Sequence, residues 1–351
     1  VLAASAIGSL AFLFIGFGFA FQGTGSIIGQ FSLPSDWFFS SAPVDKLYTT
    51  VPVGMFAIFQ LAFAAVTIGI LLGASAERVS FGFILLFVPL WVLAVYTPVA
   101  RWVWSEHGWL HTIGAIDFAG GMVVHVCSGF SALALVLMLG KREGFGREPF
   151  EPNSPALAAM GAAFLVVGWY GFNAGSALAA DGNAIRALIT THVAACAGGA
   201  AWLILEFYIR RFTSLIGVLT GVLGALVAIT PASGFVTPEA AALIGVLGAG
   251  AAYFGAVMLR GMSWYDDAFD VFGVHGTAGI VGSLAVGVLA APQLAKNASF
   301  TAQAIGTLAV AAYAFVATIV VYLVVRVIIK PRVSTEQERD GLDLTYHGEA
   351  S

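Results

Sequence analysis

Charge is what this 351-residue chain has least of, and the shortage decides its class. Charged residues make up 10% of the sequence against 59% hydrophobic, the net charge is only -4, and the mean hydropathy is +0.93. That balance is far from a water-soluble domain's. The few basic residues are scattered, so the concentrated positive field that nucleic acid requires is missing. Cysteine is almost absent: Cys127 and Cys196 both fall in apolar stretches, where a thiol is a small packing residue and says nothing of redox compartment. There is no phosphate-binding loop and no hydrolytic motif, which leaves an ATP-driven pump or a hydrolase unsupported. No histidine has a partner at metal-ligand spacing, and no cofactor, metal or catalytic residue is expected. Strand-period alternation is lacking as well, which argues against a β-barrel.

Long charge-free runs fill the space these absences leave. Ten windows are free of charged residues, at 1–35, 47–76, 79–100, 118–140, 152–180, 187–205, 212–238, 240–259, 271–295 and 297–325. Each is close to or above the ~20 residues that a spanning helix needs. The sequence therefore predicts an all-α polytopic membrane protein solvated by lipid, with ten transmembrane helices in 1–330 and a polar tail at 331–351. The 42 glycines suit close helix packing in lipid. If the windows alternate in direction, eleven of the fifteen basic residues share one side, among them Arg78, Lys141, Arg142, Arg260 and Arg332, and only Lys46, Arg101, Arg186 and Lys296 lie on the other. The positive-inside rule then makes the C-terminus cytoplasmic.

Two histidines inside apolar windows, His125 and His275, stand out because polar side chains in lipid are costly and tend to mark a path or relay. They lie five windows apart, so their helices run in opposite directions, as in an inverted repeat. Each helix opens near an aspartate and a glycine-rich turn, DFAGGMVVH from Asp117 and DVFGVHG from Asp270. A first unit of five helices ending at window four needs one more helix before Val1, which gives an expected total of eleven and an external N-terminus. Taken alone, a lone intramembrane histidine is as often a packed core residue; the pairing tips the reading. A neutral imidazole donates at one nitrogen and accepts at the other, which suits passage of a small hydrogen-bonding molecule. A proton-coupled carrier of another substrate uses the same residue types. His192, with no repeat partner, reads as structural, bonded to a carbonyl of a neighbouring helix. Asp117 reads most simply as the cap of its helix.

FQLAFAAVT (Phe59 to Thr67), AER (Ala76 to Arg78), DFAGGMVVH, GWYGFNAGSA (Gly168 to Ala177), DVFGVHG and the tail RVSTEQERDGLD (Arg332 to Asp343) occur in one order and together resemble the ammonium transporters of the Amt/Mep/Rh group, in its Amt branch. The resemblance implies eleven spans, an inverted five-helix repeat around a narrow pore, and transport of ammonium or ammonia. It implies substrate binding by Phe63, Trp104 and Ser176 at the outer mouth, where aromatic faces and a hydroxyl suit a compact cation. Phe63 and Phe172 would form a phenyl gate, and His125 and His275 would line the pore with a shared hydrogen bond. Asp117 and Asp270 take structural or vestibule roles, and Trp169 and Asn173 fix the helix of Phe172. Taken without the resemblance, Trp104 reads as an interfacial belt residue and Ser176 as a packing residue. The resemblance also implies a homotrimer in the plasma (inner) membrane and a regulatory tail that engages a PII-type signalling protein. A non-conducting ammonium sensor and a Rh-like channel for ammonia or carbon dioxide remain as alternatives.

Overall fold

Nine helices of the computed structural model are long and apolar enough to cross a bilayer, counted among the described residues, which are 1–349 without 47, 149, 260, 261 and 263. In chain order they are α1 (Leu2–Phe21), α2 (Val53–Gly73), α3 (Phe81–Thr112, broken at 105–108), α4 (Gly121–Leu139), α5 (Pro155–Gly175) and α6 (Gly182–Arg210), followed after α7 by α8 (Pro238–Met258), α9 (Phe272–Leu289) and α10 (Phe300–Arg326). The seventh window holds only a 15-residue helix, α7 (Leu215–Ile229). It stops at Thr230, whose hydroxyl donates back to the Leu226 carbonyl at 2.7 Å, with Pro231 next in the chain and unable to extend the helix.

Side-chain caps open many of the helices, because the first backbone N–H groups have no partner inside a helix and lipid offers none. Ser80, Ser154, Ser214, Thr237 and Ser299 each accept from a backbone N–H one turn on, and Asp181 accepts from two. The buried apolar residues fall into two clusters. One joins α1 to α4 with α10, and the other joins α5 to α9. Phe172 packs against both. Glycine lets α6, α7 and α8 approach closely: a methyl on Gly198 would collide with Ala225, and one on Gly248 with Ala228.

Arg101 and Arg186, two of the four basic residues set above on the minority side, lie in helices. Arg101 is in α3 and fully buried, its guanidinium donating to the carbonyls of Gly23 and Gly25 at 2.7 Å and of Ala20 and Gln22 at 3.3 Å. A guanidinium can stay in this position because its fork of donors satisfies the carbonyls left open after α1 ends. Arg186 stands in the second turn of α6 beside Asn183. Arg260 lies outside the described residues, as do residues 350 and 351 of the tail.

The tail packs against the bundle. Ser80 donates to the Pro331 carbonyl at 2.8 Å and Val333 to that of Arg78 at 3.1 Å. A short helix, α11 (Thr335–Asp340), brings Glu338 within 2.7 Å of the Glu143 backbone N–H and against the Arg332 guanidinium.

The tightest crossing is between α4 and α9. A Cβ on Gly129 would lie 2.5 Å from the Cα of Gly276, and one on Gly279 would lie 3.2 Å from both the Cβ of His125 and the backbone nitrogen of Val126. We expect Gly129→Val to destabilise the bundle by about 1 to 3 kcal/mol through overpacking. Gly161→Val on α5, where a Cβ meets nothing within 4 Å, should stay within about 0.5 kcal/mol of the parent. Thermal unfolding of the two variants in detergent checks the difference, and equal midpoints would contradict it.

Candidate functional site

α4 and α9 begin in the same unusual way. Asp117 precedes His125 by eight residues, and its carboxylate accepts from the backbone N–H groups of Gly120, Gly121, Met122 and Val123 at 2.6 to 3.1 Å. Four orphan donors of the helix start are thereby satisfied by one buried side chain. The first turns of α4 are π-helical, Gly121–Val126, and carry His125. In α9 the π-helical stretch Phe272–Gly276 carries His275.

The aspartate that answers Asp117 is Asp267, a residue that the motif reading passed over. It stands eight residues before His275 and is buried, and its Oδ2 accepts from the backbone of Phe272 and the hydroxyl of Tyr265, both at 2.8 Å. Asp270 answers a glycine instead. It has φ +54 five residues before His275, where Gly120 has φ +114 five residues before His125, and aspartate tolerates the left-handed region better than most residues. The signal was present in the sequence as the equal eight-residue spacing, but the glycine-rich turn drew attention to the nearer carboxylate.

The adjacent Asp266 anchors this start. Arg142 donates to its carboxylate at 2.6 Å from the backbone and 2.7 Å from Nη2, and the buried Arg78 holds its carbonyl at 2.5 Å. Burial works to raise the Asp266 pKa, but the bonds and charge of Arg142, with the charge of Arg78, more than offset it and hold the carboxyl below its ordinary value. The clamp is therefore charged at neutral pH.

Between the two aspartates runs a file of rings. Trp104 stands edge-on to Phe63 with centroids 5.3 Å apart, Phe63 lies 4.4 Å from Phe172, Phe172 lies 6.1 Å from His125, and His125 lies 5.2 Å from His275. The two Nδ1 atoms are 3.1 Å apart across 150 residues of sequence. Window counting alone sets the two rings at different depths; the close glycine crossing brings them to one. A single proton serves that contact, so one ring donates from Nδ1 and keeps Nε2 as an acceptor while the other carries Nε2–H.

Supporting side chains hold the file in place. Trp104 donates from Nε1 to the Asp117 carbonyl at 2.9 Å, and Tyr48 donates to the Trp104 carbonyl at 2.8 Å. Trp169 stacks 5.5 Å from His125 and bonds Thr230 at 2.8 Å. Asn173 is fully buried and donates to Thr191 at 2.8 Å. Ser176 donates to the Phe172 carbonyl at 2.8 Å, which leaves its oxygen free to accept. Phe63, Trp104 and Ser176 line one cavity together with Tyr48, Gln60 and Phe118. Its free room, about 20 Å³, holds the centre of roughly one water-sized particle.

His192 is exposed, and its Nδ1 lies 2.7 Å from the Tyr170 hydroxyl; the partner is a side chain where a backbone carbonyl was expected. Among the described residues no group of His, Cys, Asp and Glu is placed to hold a metal ion.

Fold and site together define a polytopic helical membrane protein organised around a histidine pair, His125 buried and His275 partly so. The model of the Ammonium Transporter Family matches residues 1–351, and the chain belongs to that family, one of transporters and not of enzymes. An ammonium transporter of Bacillus subtilis (strain 168) is 40% identical over 354 residues, covering 98% of this chain and 87% of that protein. The crystal structure of Saccharomyces cerevisiae Mep2 matches with a TM-score of 0.86 at 30% identity, over 95% of this chain and 79% of that one. A structure described as a sensor Amt protein matches with a TM-score of 0.87 at 31% identity, over 98% and 88%.

Asp267→Ala is expected to cost about 2 kcal/mol or more, because it removes a buried cap and leaves the Tyr265 hydroxyl unpaired. Asp270→Gly, which copies Gly120, should cost less than Asp267→Ala, because glycine adopts the left-handed region at no steric cost. Melting points of the purified variants test this, and a greater loss from Asp270→Gly would reverse the assignment.

Proposed function

We propose that this transporter recruits ammonium at Phe63, Trp104 and Ser176, that the ion gives up its proton to water on the recruitment side of the Phe63–Phe172 gate, and that ammonia passes along His125 and His275. The observation that carries the reading is the unbroken file of rings from Trp104 to the histidine pair, ending in the 3.1 Å Nδ1 contact. Ammonium is a compact cation with four N–H donors. A cation–π contact with Phe63 or Trp104 is worth about 0.5 to 2 kcal/mol, and the Ser176 oxygen is free to accept. Beyond the gate stand Trp169 and the two imidazoles within an apolar bundle, where a full charge costs far more than its neutral conjugate. Potassium has no proton to leave behind, so the same gate excludes it.

The neutral histidine pair suits ammonia, with three donors and one acceptor, because it offers an acceptor at one Nε2 and a donor at the other. The buried Nε2 of His125 has no partner within the protein. Asp117 keeps all four of its bonds within the backbone and acts by holding the turn in shape. Trp169 and Asn173 hold the gate helix, and Asp270 supplies a left-handed turn.

The same reading places the protein in the plasma (inner) membrane as a homotrimer with its C-terminus cytoplasmic. Arg78, Arg142 and Arg332 gather with the tail at one end of the bundle, consistent with a cytoplasmic face. We further propose that the docked tail, 331–351, is regulatory and that this face accepts a PII-type protein.

The test is made on proteoliposomes and cells. Labelled methylammonium should be taken up, and ammonium pulses at several pH values should give a response that potassium does not. Replacing both His125 and His275 by Ala should lower uptake by about tenfold or more, since it removes the two imidazoles at the inner end of the ring path. His125→Asp or His275→Glu should let other cations through. Unchanged uptake and selectivity in the double variant would refute the histidine path, and tight ammonium binding without uptake by the parent would favour a sensor.

A further inference from the structure

Gln60 is the second residue of FQLAFAAVT, a motif whose Phe63 has a role above, and it has none. It lies on α2, one turn from Phe63 and so on the same helix face. It is 4% exposed, and its Oε1 has no hydrogen-bond partner. Gln60 lines the same cavity as Phe63, Trp104 and Ser176. A buried amide carbonyl without a donor is unfavourable and calls for an occupant.

The cavity's other polar groups narrow what that occupant is. Tyr48 and Ser176 each spend their hydroxyl proton on a backbone carbonyl, of Trp104 and Phe172, so both present oxygen lone pairs to the cavity. The Trp104 N–H is spent on the Asp117 carbonyl. The Asp117 carboxylate is taken up by four backbone N–H groups. Apart from the NH2 of Gln60 itself, what remains is a set of acceptors and two aromatic faces around room for one water-sized particle. Such a lining suits a small species made of donors.

We propose that Gln60 is a further ammonium-recognising residue of this cavity, its side-chain carbonyl accepting an N–H from the cation while Ser176 accepts another. The proposal rests on the reading of the cavity as the recruitment site. It divides the work: the rings supply attraction to charge in general, and the two neutral oxygens recognise the N–H bonds. A neutral carbonyl also holds the cation less firmly than a carboxylate would, so the ion can move on.

The experiment measures the ammonium concentration that half-inhibits labelled methylammonium uptake by the full-length protein in proteoliposomes. Gln60→Met keeps the shape and deletes the acceptor, and should raise that concentration by about tenfold or more, with the maximal rate near the parent's. Gln60→Glu retains an acceptor oxygen in either protonation state and should stay within about twofold of the parent or bind more tightly. If Gln60→Met does not fold, Gln60→Asn, which withdraws the amide by one methylene, takes its place with the same expectation. Ser176→Ala and Trp104→Leu run in parallel. A shift in those two with none in the Gln60 variant overturns the role of Gln60 and leaves the recruitment site standing; no shift in any of the three overturns both. A lower maximal rate at unchanged half-inhibition, in Gln60→Met and Gln60→Glu alike, marks a packing residue and also overturns the proposal.

Discussion

The close approach of α4 and α9 at Gly129, Gly276 and Gly279 sets the geometry of the whole centre. Imidazole side chains are short, and two of them reach a 3.1 Å contact only if their backbones nearly touch. Glycine permits this because a Cβ on Gly129 would fall 2.5 Å from Gly276, a separation no real pair of carbons adopts. The crossing is also nearly symmetric. Gly129 meets Gly276, and Gly279 meets Val126, which is the same relation shifted by the 150 residues that separate the histidines. A change in either glycine would move both rings, and with them Phe172 and Trp169, which pack on His125.

Such a crossing brings the starts of two helices into the bundle, and their unpaired N–H groups come with them. Lipid cannot satisfy those groups, so the protein supplies one carboxylate to each. Asp117 and Asp267 accept from the backbone at equal distances from the histidines, and the turn between cap and ring is made by a left-handed residue in both, Gly120 and Asp270. The two ends differ in what holds the cap itself. Beside Asp117 the anchor is neutral, the indole of Trp104. Beside Asp267 it is ionic, with Arg78 and Arg142 on Asp266. The neutral anchor stands at the end where the proposed recruitment of a cation takes place, and the ionic clamp at the end where the tail docks through Glu338 on the Glu143 backbone.

Much of this architecture was legible in the sequence because lipid imposes such strong composition. Nine of the ten charge-free windows became spans by length and composition, since nothing but a continuous apolar helix keeps the backbone satisfied there. Arg101 escaped the same logic: its charge ended the third window, yet the helix runs on because four carbonyls, of Ala20 at the end of α1 and of Gln22, Gly23 and Gly25 after it, satisfy the guanidinium. A window count cannot see partners that arrive from a distant loop. Asp267 was missed for a related reason, since a carboxylate that caps from outside the motif reveals itself only through its spacing to His275. Gln60 lay within a quoted motif, but the open acceptor on its buried amide is a property of the packed cavity. The pairing of His125 with His275 was expected from resemblance, and the glycine crossing now gives it a mechanical cause.

The ring file also bears on how anything could move along it. Phe63 and Phe172 stand 4.4 Å apart by centroid, within the range of direct ring packing, so no particle fits between them as they stand. Passage in the proposed mechanism therefore requires a ring to turn aside, and side-chain rotation is far faster than the rearrangement of whole helices. Phe172 is only partly buried and lies where the two apolar clusters meet, while Asn173 beside it is fully buried and bonded to Thr191. In the proposed mechanism the bonded Asn173 keeps the helix in place while the Phe172 ring turns, so that the gate opens and closes without any change in the fold, and the close glycine crossing and the phenyl pair serve the same path.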